Sequence, residues 1–332
     1  MPSLKFSHTA FMTTLLMGVL FATTSPSWLT AWLGLELNLL SFIPLMTSKS
    51  NIYSSDAAIK YFLVQALGST FILIDSLINI FTYSSFIIIT IALLLKLGAA
   101  PCHFWFPTVM QGISWANCII LMTVQKIAPM ILISYPNMLA SNQVILISSM
   151  MSAIAGGLGG LNQTLIRKIL AYSSINHMAW MLAAISLSTP LWTQYFVIYT
   201  VMTLSITLVM YDLQIFFYAH ITNMSLPNPK LKLLIFLSLL SMGGLPPFLG
   251  FFPKLMVIQT LAASKSFLWL SILLASALIT LYYYLRVMIP AIILSTTKTK
   301  NMHLTPPNYL MLSLAFVNIL PTFLPFLYTI SF

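Results

Sequence analysis

Long, almost uninterrupted runs of apolar residues are the feature of this sequence that most restricts its fold. They recur along the chain at lengths near the roughly 20 residues that a helix needs to cross a bilayer. Of the 332 residues, 59% are hydrophobic and only 5% are charged, and the mean hydropathy is +0.97. Because so little polar surface cannot cover a water-soluble core, the chain is expected to lie in a membrane.

The membrane limits the backbone to helices or closed barrels, since every N–H and C=O must be satisfied internally in lipid. Barrel strands alternate polar and apolar residues, whereas these runs are continuously apolar. The sequence therefore predicts an all-α, polytopic membrane helical bundle of about eleven transmembrane helices. The predicted spans lie near residues 8–24, 27–46, 56–80, 82–106, 113–134, 142–161, 168–187, 191–218, 231–262, 267–290 and 308–331.

Basic residues indicate how often two spans with Gly and Pro interruptions, near 82–106 and 231–262, cross the membrane. Lys and Arg accumulate in loops on the side from which a membrane protein is inserted. If both spans cross once, Lys265 alone lies outside, and the inner side holds Lys5, Lys49, Arg167, Lys168, Lys230, Lys232, Lys298 and Lys300. If the span near 82–106 turned back instead of crossing, this separation of basic residues would be lost. If the span near 231–262 turned back, the separation would only be less complete. The prediction places the N-terminus inside and the C-terminus outside.

The two interrupted spans share a sequence pattern. The stretches LLLKLGAAPCHFWFP at 93–107 and SMGGLPPFLGFFPKL at 241–255 both contain GxxPxxxxFP, with Gly98 matching Gly244. Five predicted spans separate the copies, so the second copy crosses in the opposite sense. This predicts a single transmembrane domain over 1–332, built as an inverted five-helix repeat with one discontinuous helix in each half. The halves cover about 8–134 and 142–290, and a final helix covers about 308–331. Such repeats are typical of transporters.

Four charged residues lie within or beside the interrupted and neighbouring spans: Glu36, Lys96, Lys126 and Lys254. Each costs roughly 2.5–3.5 kcal/mol at the centre of a membrane helix, so the four together cost on the order of 10 kcal/mol. A Glu36–Lys96 pair that merely locks two helices together is an alternative for those two residues. That pair leaves the other two lysines unexplained, because the chain has only 4 acids. These four residues are therefore the candidates for proton translocation.

Two further ionisable residues have competing interpretations. Lys60 stands four residues after Asp56, and a surface pair or a snorkelling lysine is favoured over a role in proton transfer. His177, in the stretch SSINHMAWM, fits either a hydrogen-bonded core histidine or a proton relay. Asp75 and Asp212 have no identifiable buried partner in the sequence, and their roles stay open.

Several other classes of site are not predicted. Cys102, Cys118 and the scattered histidines lack metal-ligand spacing, so no metal site is expected. The run GGLGG at 156–160 lacks the Lys and Ser or Thr of a phosphate loop, and its small-xxx-small spacing favours helix packing. The net charge of +10 is mostly in inner loops rather than on a basic face with interleaved aromatics, so nucleic-acid binding is not expected.

The chain resembles the subunit 2 family of mitochondrial NADH dehydrogenase (NADH:ubiquinone oxidoreductase, respiratory complex I). The resemblance covers essentially the whole chain and rests on five motifs in order: SWLTAWLGLELNLLSFIPLM, LLLKLGAAPCHFWFP, LMTVQKIAPM, GGLNQTLIRKILAYSSINHMAWM and GGLPPFLGFFPKL. It implies a core subunit of the proton-pumping membrane arm, related to bacterial cation/proton antiporter subunits and lacking three N-terminal helices of longer relatives. The buried acid and lysines of the family fall on Glu36, Lys96, Lys126 and Lys254.

The resemblance also implies location and partners. It places the chain in the mitochondrial inner membrane, with the N-terminus in the matrix and the C-terminus in the intermembrane space. The neighbours would be membrane lipids and the other membrane-arm subunits, notably subunit 4 and subunit 4L. The chain carries no visible site for NADH, FMN, iron–sulfur clusters or ubiquinone. It is expected to serve an H+-translocating NADH:ubiquinone reductase whose other subunits bind these cofactors.

The mechanistic hypothesis is electrostatic. At an effective dielectric constant near 20, a Glu–Lys pair about 4 Å apart gains roughly 4 kcal/mol, and about half of that at 8 Å. Glu36 would thereby modulate Lys96, whose proton passes through water toward Lys126 and then Lys254. Moving a proton against about 180 mV requires roughly 4 kcal/mol, so coupling to redox chemistry in other subunits is needed. The alternatives are a freestanding cation/proton antiporter and a purely structural membrane spacer.

Overall fold

The computed structural model describes residues 2–47, 51–81, 86–135, 139–223 and 229–293, and most of them are helical. These ranges contain no strand, only an isolated antiparallel bridge between Leu165 and Phe217. The predicted all-α class is confirmed for them, and the predicted final helix near 308–331 lies outside the described residues. The helices are α1 (Pro2–Thr24), α2 (Trp28–Met46), α3 (Ile52–Phe81), α4 (Ile87–Leu97), α5 (Trp105–Gly112), α6 (Trp115–Met122), α7 (Val124–Ser134), α8 (Leu139–Gly160), α9 (Ile166–Leu187), α10 (Thr189–Asp212), α11 (Tyr218–Asn223), α12 (Pro229–Gly243), α13 (Phe251–Ala263) and α14 (Phe267–Ile293).

Six segments of the described chain are helical, long and apolar enough to cross a membrane: Trp28–Met46, Ile52–Ile78, Trp115–Ser134, Asn142–Gly160, Thr189–Asp212 and Phe267–Pro290. Shorter apolar helices cover His8–Thr24, Ile87–Leu97 and Phe251–Ala263. The last two are arms of the interrupted spans, which explains why neither reaches full length alone. The described helices thus form a multi-pass membrane bundle, and the count of eleven crossings stays a prediction.

The chain divides into two compact units, 1–152 and 153–332. In the first unit α2 packs against α1 and α3, and α4 packs against α3 and α7. A capping box starts α2, where the Ser27 hydroxyl accepts from the Thr30 N–H at 3.4 Å and the Thr30 hydroxyl accepts from the Ser27 N–H at 3.3 Å. A Cβ at Gly34 would lie 2.5 Å from the Ala22 nitrogen, so the close approach of α1 and α2 requires this glycine.

Both predicted interruptions occur at their glycines. Helix α4 ends before Gly98, which has φ +73°, and α12 ends before Gly244, which has φ +81°. This left-handed conformation disfavours any residue with a Cβ. In both cases the next helix begins seven residues after the glycine, at Trp105 and at Phe251. The repeated sequence pattern therefore corresponds to a repeated backbone pattern.

One predicted span contains an interruption that the sequence analysis missed. The span near 113–134 is divided into α6 and α7 at Thr123, which has φ −114° and ψ −76°. Its hydroxyl donates to the Ile119 carbonyl at 2.7 Å, beside the Thr123 N–H at 3.0 Å. A threonine bonded back to the carbonyl four residues earlier often bends a helix. Pro129 has no N–H to donate to the Gln125 carbonyl, so the first turn of α7, next to the interruption, also lacks a helical hydrogen bond.

The predicted span near 191–218 was too long, because α10 ends at Asp212. Gln214 follows with φ 49°, a left-handed conformation that stops the helix. The chain then runs beside the segment before α9: the Ile166 N–H donates to the Phe216 carbonyl at 3.0 Å, and the Tyr218 N–H donates to the Thr164 carbonyl at 3.1 Å. Residues 213–217 thus lie outside the helix, and the end of this segment is hydrogen-bonded to the segment that precedes α9.

Helix α9 is the centre of the second unit and packs against α10, α13 and α14. Nearly all its residues are buried, including its polar ones: Ser173, Ser174, Asn176 and His177. The Asn176 side chain accepts a hydrogen bond from the Ser276 hydroxyl of α14 at 3.0 Å. A Cβ at Gly156 would lie 2.6 Å from the Asn176 nitrogen. The helix-packing interpretation of GGLGG is therefore confirmed.

Candidate functional site

Lys96 occupies the last turn of α4, directly before the first interruption, and is only 7% exposed. Its backbone carbonyl accepts a hydrogen bond from Gln65 Nε2 of α3 at 3.1 Å. The Leu95 carbonyl accepts one from Trp105 Nε1 at 3.1 Å. Gln65 thus supplies a donor to a carbonyl at the helix end, where backbone donors run out. Trp105 adds a second donor to the Leu95 carbonyl, which also accepts from the Gly98 N–H at 3.1 Å.

Lys126 lies in the first turn of α7 and is 2% exposed. Its Nζ is 5.2 Å from the ring centroid of Phe106, a distance suited to a cation–π contact. Phe106 belongs to the FP pair of the repeated pattern and lies in α5. The second arm of the interrupted span therefore brings an aromatic face to the second lysine.

Lys96 and Lys126 line the same internal cavity of the first unit. The centre of a water molecule can move within a volume of about 20 Å³ in this cavity, which is enough for one water molecule. The other polar residues along its wall are Asn38, Tyr61, Gln65 and Gln125. Lys96 and Lys126, whose burial in a membrane is costly, thus both line one polar cavity that can hold a water molecule.

A hydrogen-bonded chain of neutral side chains forms part of this wall. Gln125 Nε2 donates to Asn38 Oδ1 at 2.9 Å, and the Tyr61 hydroxyl donates to Gln125 Oε1 at 3.3 Å. Sequence reasoning missed these residues, because a neutral polar side chain in a membrane span costs far less than a charge. The sequence offered one signal for them: both lie close to a predicted site residue, Asn38 two positions after Glu36 and Gln125 directly before Lys126.

Glu36 lies in α2 and is half-buried, and it does not contribute to the cavity wall. Its carboxylate interacts electrostatically with Lys96. Among the described residues, no hydrogen bond joins the two side chains. The structure therefore supports an influence of Glu36 on Lys96 through space, and it does not show the direct helix-locking pair considered as an alternative.

Lys60 lies apart from this cavity. It and Asp56 are both exposed in the first part of α3, and neither lines the cavity of Lys96 and Lys126. Of the remaining acids, Asp75 is buried in α3, whereas Asp212 is exposed at the end of α10. In the described part of the chain, no cluster of three or more His, Cys, Asp or Glu could hold a metal ion.

Lys254 follows the second interruption, in the first turn of α13, and is 5% exposed. Its Nζ donates to the Gly243 carbonyl at the end of α12 at 2.8 Å. It also lies 6.0 Å from the ring centroid of Trp180 in α9. A helix C-terminus has carbonyls without helical partners and a partial negative charge. The interruption thus provides the acceptor that holds this lysine.

His177 lies in α9 and is 4% exposed. Its Nδ1 is hydrogen-bonded to the Tyr195 hydroxyl at 2.9 Å, and its ring centroid is 5.3 Å from that of Tyr199. The hydrogen bond is what the core-histidine interpretation requires. Whether His177 also transfers protons stays a prediction.

Apolar helices interrupted at left-handed glycines, with lysines buried beside the interruptions, define a class: multi-pass membrane proteins that hold ionisable groups in their interior. Residues 25–280 match the family model described as NADH:quinone oxidoreductase/Mrp antiporter, TM. This match covers most of the chain. The chain belongs to that family, as the resemblance of its motifs predicted.

Individual relatives agree with this assignment. The chain is 50% identical over 292 residues to NADH-ubiquinone oxidoreductase chain 2 of Anopheles gambiae, a match that covers 85% of each chain. It is 46% identical to the protein of the same name from Aedes aegypti, again over 85% of each. A chain of respiratory complex I from Thermus thermophilus superposes with a TM-score of 0.81 at 23% identity, covering 96% of this chain and 79% of that one. This last likeness shows a shared fold.

Proposed function

We propose that this chain is a proton-translocating core subunit of respiratory complex I in the mitochondrial inner membrane. Relatives that are up to 50% identical to it are named NADH-ubiquinone oxidoreductase chain 2, and its family includes antiporter-type membrane subunits. The chain contributes to NADH:ubiquinone reductase activity by moving protons. NADH, FMN, iron–sulfur clusters and ubiquinone are bound by other subunits.

The cavity shared by Lys96 and Lys126 is the observation that carries this proposal. An ammonium group has three donors and no acceptor, so it releases a proton only to a neighbouring acceptor. A water between the two lysines supplies that acceptor and can pass the proton on. Asn38, Tyr61 and Gln125 bond to one another along the wall, which keeps their polar atoms at fixed positions around the water.

Glu36 modulates how firmly Lys96 holds its proton. Its attraction for a charged Lys96 weakens by roughly 2 kcal/mol when the separation of the two groups doubles from about 4 to 8 Å. A small movement of α2 or α4 therefore changes how firmly Lys96 holds its proton. Lys254, buried in the second unit, serves as a later carrier after Lys126.

The architecture proposed with this function is one domain of eleven crossings: two inverted halves of five helices each, and a final helix. Its N-terminus lies in the matrix and its C-terminus in the intermembrane space. Two features support the repeat: both interruptions begin at a left-handed glycine, and both helices resume seven residues later. The proposed partners are the other membrane-arm subunits, notably subunit 4 and subunit 4L. Lys60 and His177 stay secondary candidates for proton transfer.

Replacement of Lys96 by Met tests the function. Met has a similar length and no proton to exchange, so Lys96→Met should abolish proton pumping while the complex still assembles. The measurement is the number of protons moved per NADH oxidised, in sealed vesicles that contain the assembled complex. Lys265→Met is the matched control, because Lys265 is exposed in the turn between α13 and α14 and should leave pumping unchanged.

The same assay separates the alternatives. Wild-type pumping by assembled Lys96→Met complexes would remove the proposed role of this lysine. Unchanged stoichiometry after neutral replacement of Lys96, Lys126 and Lys254 together would indicate a structural spacer. Cation/proton exchange by the purified chain in liposomes, without NADH oxidation, would indicate a freestanding antiporter.

A further inference from the structure

A second cavity lies in the second unit, where α8 ends, α9 begins and α14 approaches its last turn. The centre of a water molecule can move within a volume of about 110 Å³ in this cavity. One water needs roughly 10–15 Å³ by the same measure, so the cavity can hold several. Gly160, which is the last residue of α8 and of a candidate membrane span, lines it together with Pro290 of α14. The cavity therefore lies at the level where membrane-spanning segments end, which is where lipid headgroups are found.

Hydrogen-bond donors occupy one side of this cavity. Arg286 is exposed, and its Nη1 donates to the Leu161 carbonyl, which holds the guanidinium at the cavity. A guanidinium has five N–H donors, so one such bond leaves it able to bind a phosphate in bidentate fashion. Thr164 and Tyr218 add hydroxyl groups to the lining, and none of the lining residues is acidic.

Apolar residues also line the cavity. Ile169, Val287 and Pro290 line the cavity. On α14, the exposed side chains of Leu278, Tyr282 and Ile289 share a helix face with Arg286, since they are spaced at intervals of three or four residues or their multiples. An apolar stripe thus leads to Arg286 at the cavity.

The structure holds the polar wall in place. The Tyr218 N–H donates to the Thr164 carbonyl at 3.1 Å, and the neighbouring Ile166 N–H donates to the Phe216 carbonyl at 3.0 Å. These bonds connect the segment before α9 to the segment before α11. The donors around the cavity therefore belong to a connected framework rather than to separate loops.

We propose that this cavity binds the headgroup phosphate of an anionic phospholipid, with an acyl chain along the exposed stripe of α14. The guanidinium of Arg286 binds the phosphate. The exposed apolar stripe of α14 binds an acyl chain, which a soluble anion does not have. Inorganic phosphate shares the headgroup chemistry but has no group to place on that stripe. This site is separate from the cavity of Lys96 and Lys126, and its test does not depend on proton pumping.

Photolabelling of the assembled complex tests the proposal. A photoreactive phosphatidylglycerol is added to complexes in phosphatidylcholine nanodiscs, and the labelled peptides are identified by mass spectrometry. Labels are expected on the peptides that cover residues 160–169 and 283–290. Unlabelled phosphatidylglycerol should displace the probe, whereas additional phosphatidylcholine should not.

Two variants probe the headgroup contact independently. Arg286→Gln removes one charge near the membrane surface and should lower labelling about fivefold. Thr164→Asp places a carboxylate at the cavity, leaves Arg286 and its bond to Leu161 in place, and should lower labelling to a similar extent. Thr164→Asn is the neutral control of matched size, and Lys265→Gln controls for loss of one exposed cation elsewhere. Both controls should label like the wild type.

Three outcomes would overturn the assignment. The first is absence of the label from these peptides in the wild type. The second is displacement of the probe by millimolar inorganic phosphate, which would indicate a soluble-anion site. The third is normal labelling of Thr164→Asp, since the Arg286→Gln effect would then reflect only the lost bond to Leu161.

Discussion

In the described part of the chain, the three buried lysines contact different kinds of group. Lys254 donates to a backbone carbonyl, Lys126 faces an aromatic ring, and Lys96 interacts with Glu36 without a hydrogen bond. A close Glu–Lys pair would gain roughly 4 kcal/mol and hold the lysine in its charged form. Lys254 is held by a carbonyl dipole at a helix end. A contact of this kind suits a proton carrier better than a structural ion pair does.

Tyr195→Phe separates the two interpretations of His177. The substitution removes the hydroxyl that bonds to His177 Nδ1 and keeps the ring. A buried nitrogen left without its partner costs about 1–3 kcal/mol, so we expect a lower midpoint of thermal unfolding. We expect unchanged numbers of protons moved per NADH oxidised, as a core histidine requires.

The control for this substitution is Tyr211→Phe, which lies on the same helix and is 45% exposed. Its effect on stability should be within about 0.5 kcal/mol, as for most surface substitutions. A reduced proton stoichiometry in Tyr195→Phe, at normal assembly, would assign His177 to the proton route instead.

Residue type alone predicted the charged part of the site and not its neutral part. Lys96, Lys126 and Lys254 were identified because each buried charge costs several kcal/mol in a membrane. Asn38 and Gln125 could not be found in this way, since a neutral amide costs much less and their contact joins positions 87 residues apart. No local pattern specifies a pairing between α2 and α7.

At the scale of helices, the sequence predicted interruptions where glycine and proline coincide. Gly98 and Gly244 stop their helices in left-handed conformations, and this requirement is visible in the residue type. Thr123 was missed because a single threonine does not by itself end a helix, and its effect depends on a hydroxyl bond to Ile119. The end of α10 was missed because the pairing of residues 216 and 218 with the segment before α9 is a tertiary contact.

Gly244→Ala should disturb Lys254 through the backbone. An L-residue in the left-handed region costs roughly 1–2 kcal/mol, and the new Cβ would lie 2.9 Å from Lys254 Nζ. We therefore expect a lower midpoint of thermal inactivation of the complex and reduced proton pumping. The measurements are residual NADH oxidation after heating and proton transport at equal amounts of assembled complex.

Gly243→Ala is the matched control for this helix end. Its Cβ would lie 3.6 Å from the nearest Leu281 atom, an ordinary contact, and the position belongs to α12. This variant should be as stable as the wild type or slightly more stable, because alanine favours helices over glycine by about 1 kcal/mol. Equal behaviour of the two variants would mean that the left-handed turn does not position Lys254.

At the scale of the whole molecule, the orientation of the helices rests on few charges. Lys265 is the one basic residue that the predicted topology places outside, and eight others are predicted inside. Treating α12 and α13 as a re-entrant pair, rather than as one interrupted crossing, changes this partition only slightly. Charge counting therefore favours one arrangement without deciding it, and labelling from each side of the membrane is needed.

Two cysteine variants decide how often the chain crosses between α8 and α14. Asn162 and Ala263 are both exposed, and α9, α10 and the α12–α13 pair lie between them. If that pair crosses once, the two positions are on opposite sides. A membrane-impermeant maleimide should then label Asn162→Cys only in inverted vesicles, where the matrix face is outside, and Ala263→Cys only in mitoplasts.

The unsubstituted chain, with Cys102 half-buried and Cys118 buried, supplies the background. Labelling of both positions from one side would show that α12 and α13 turn back, and the inverted repeat would lose its second crossing helix.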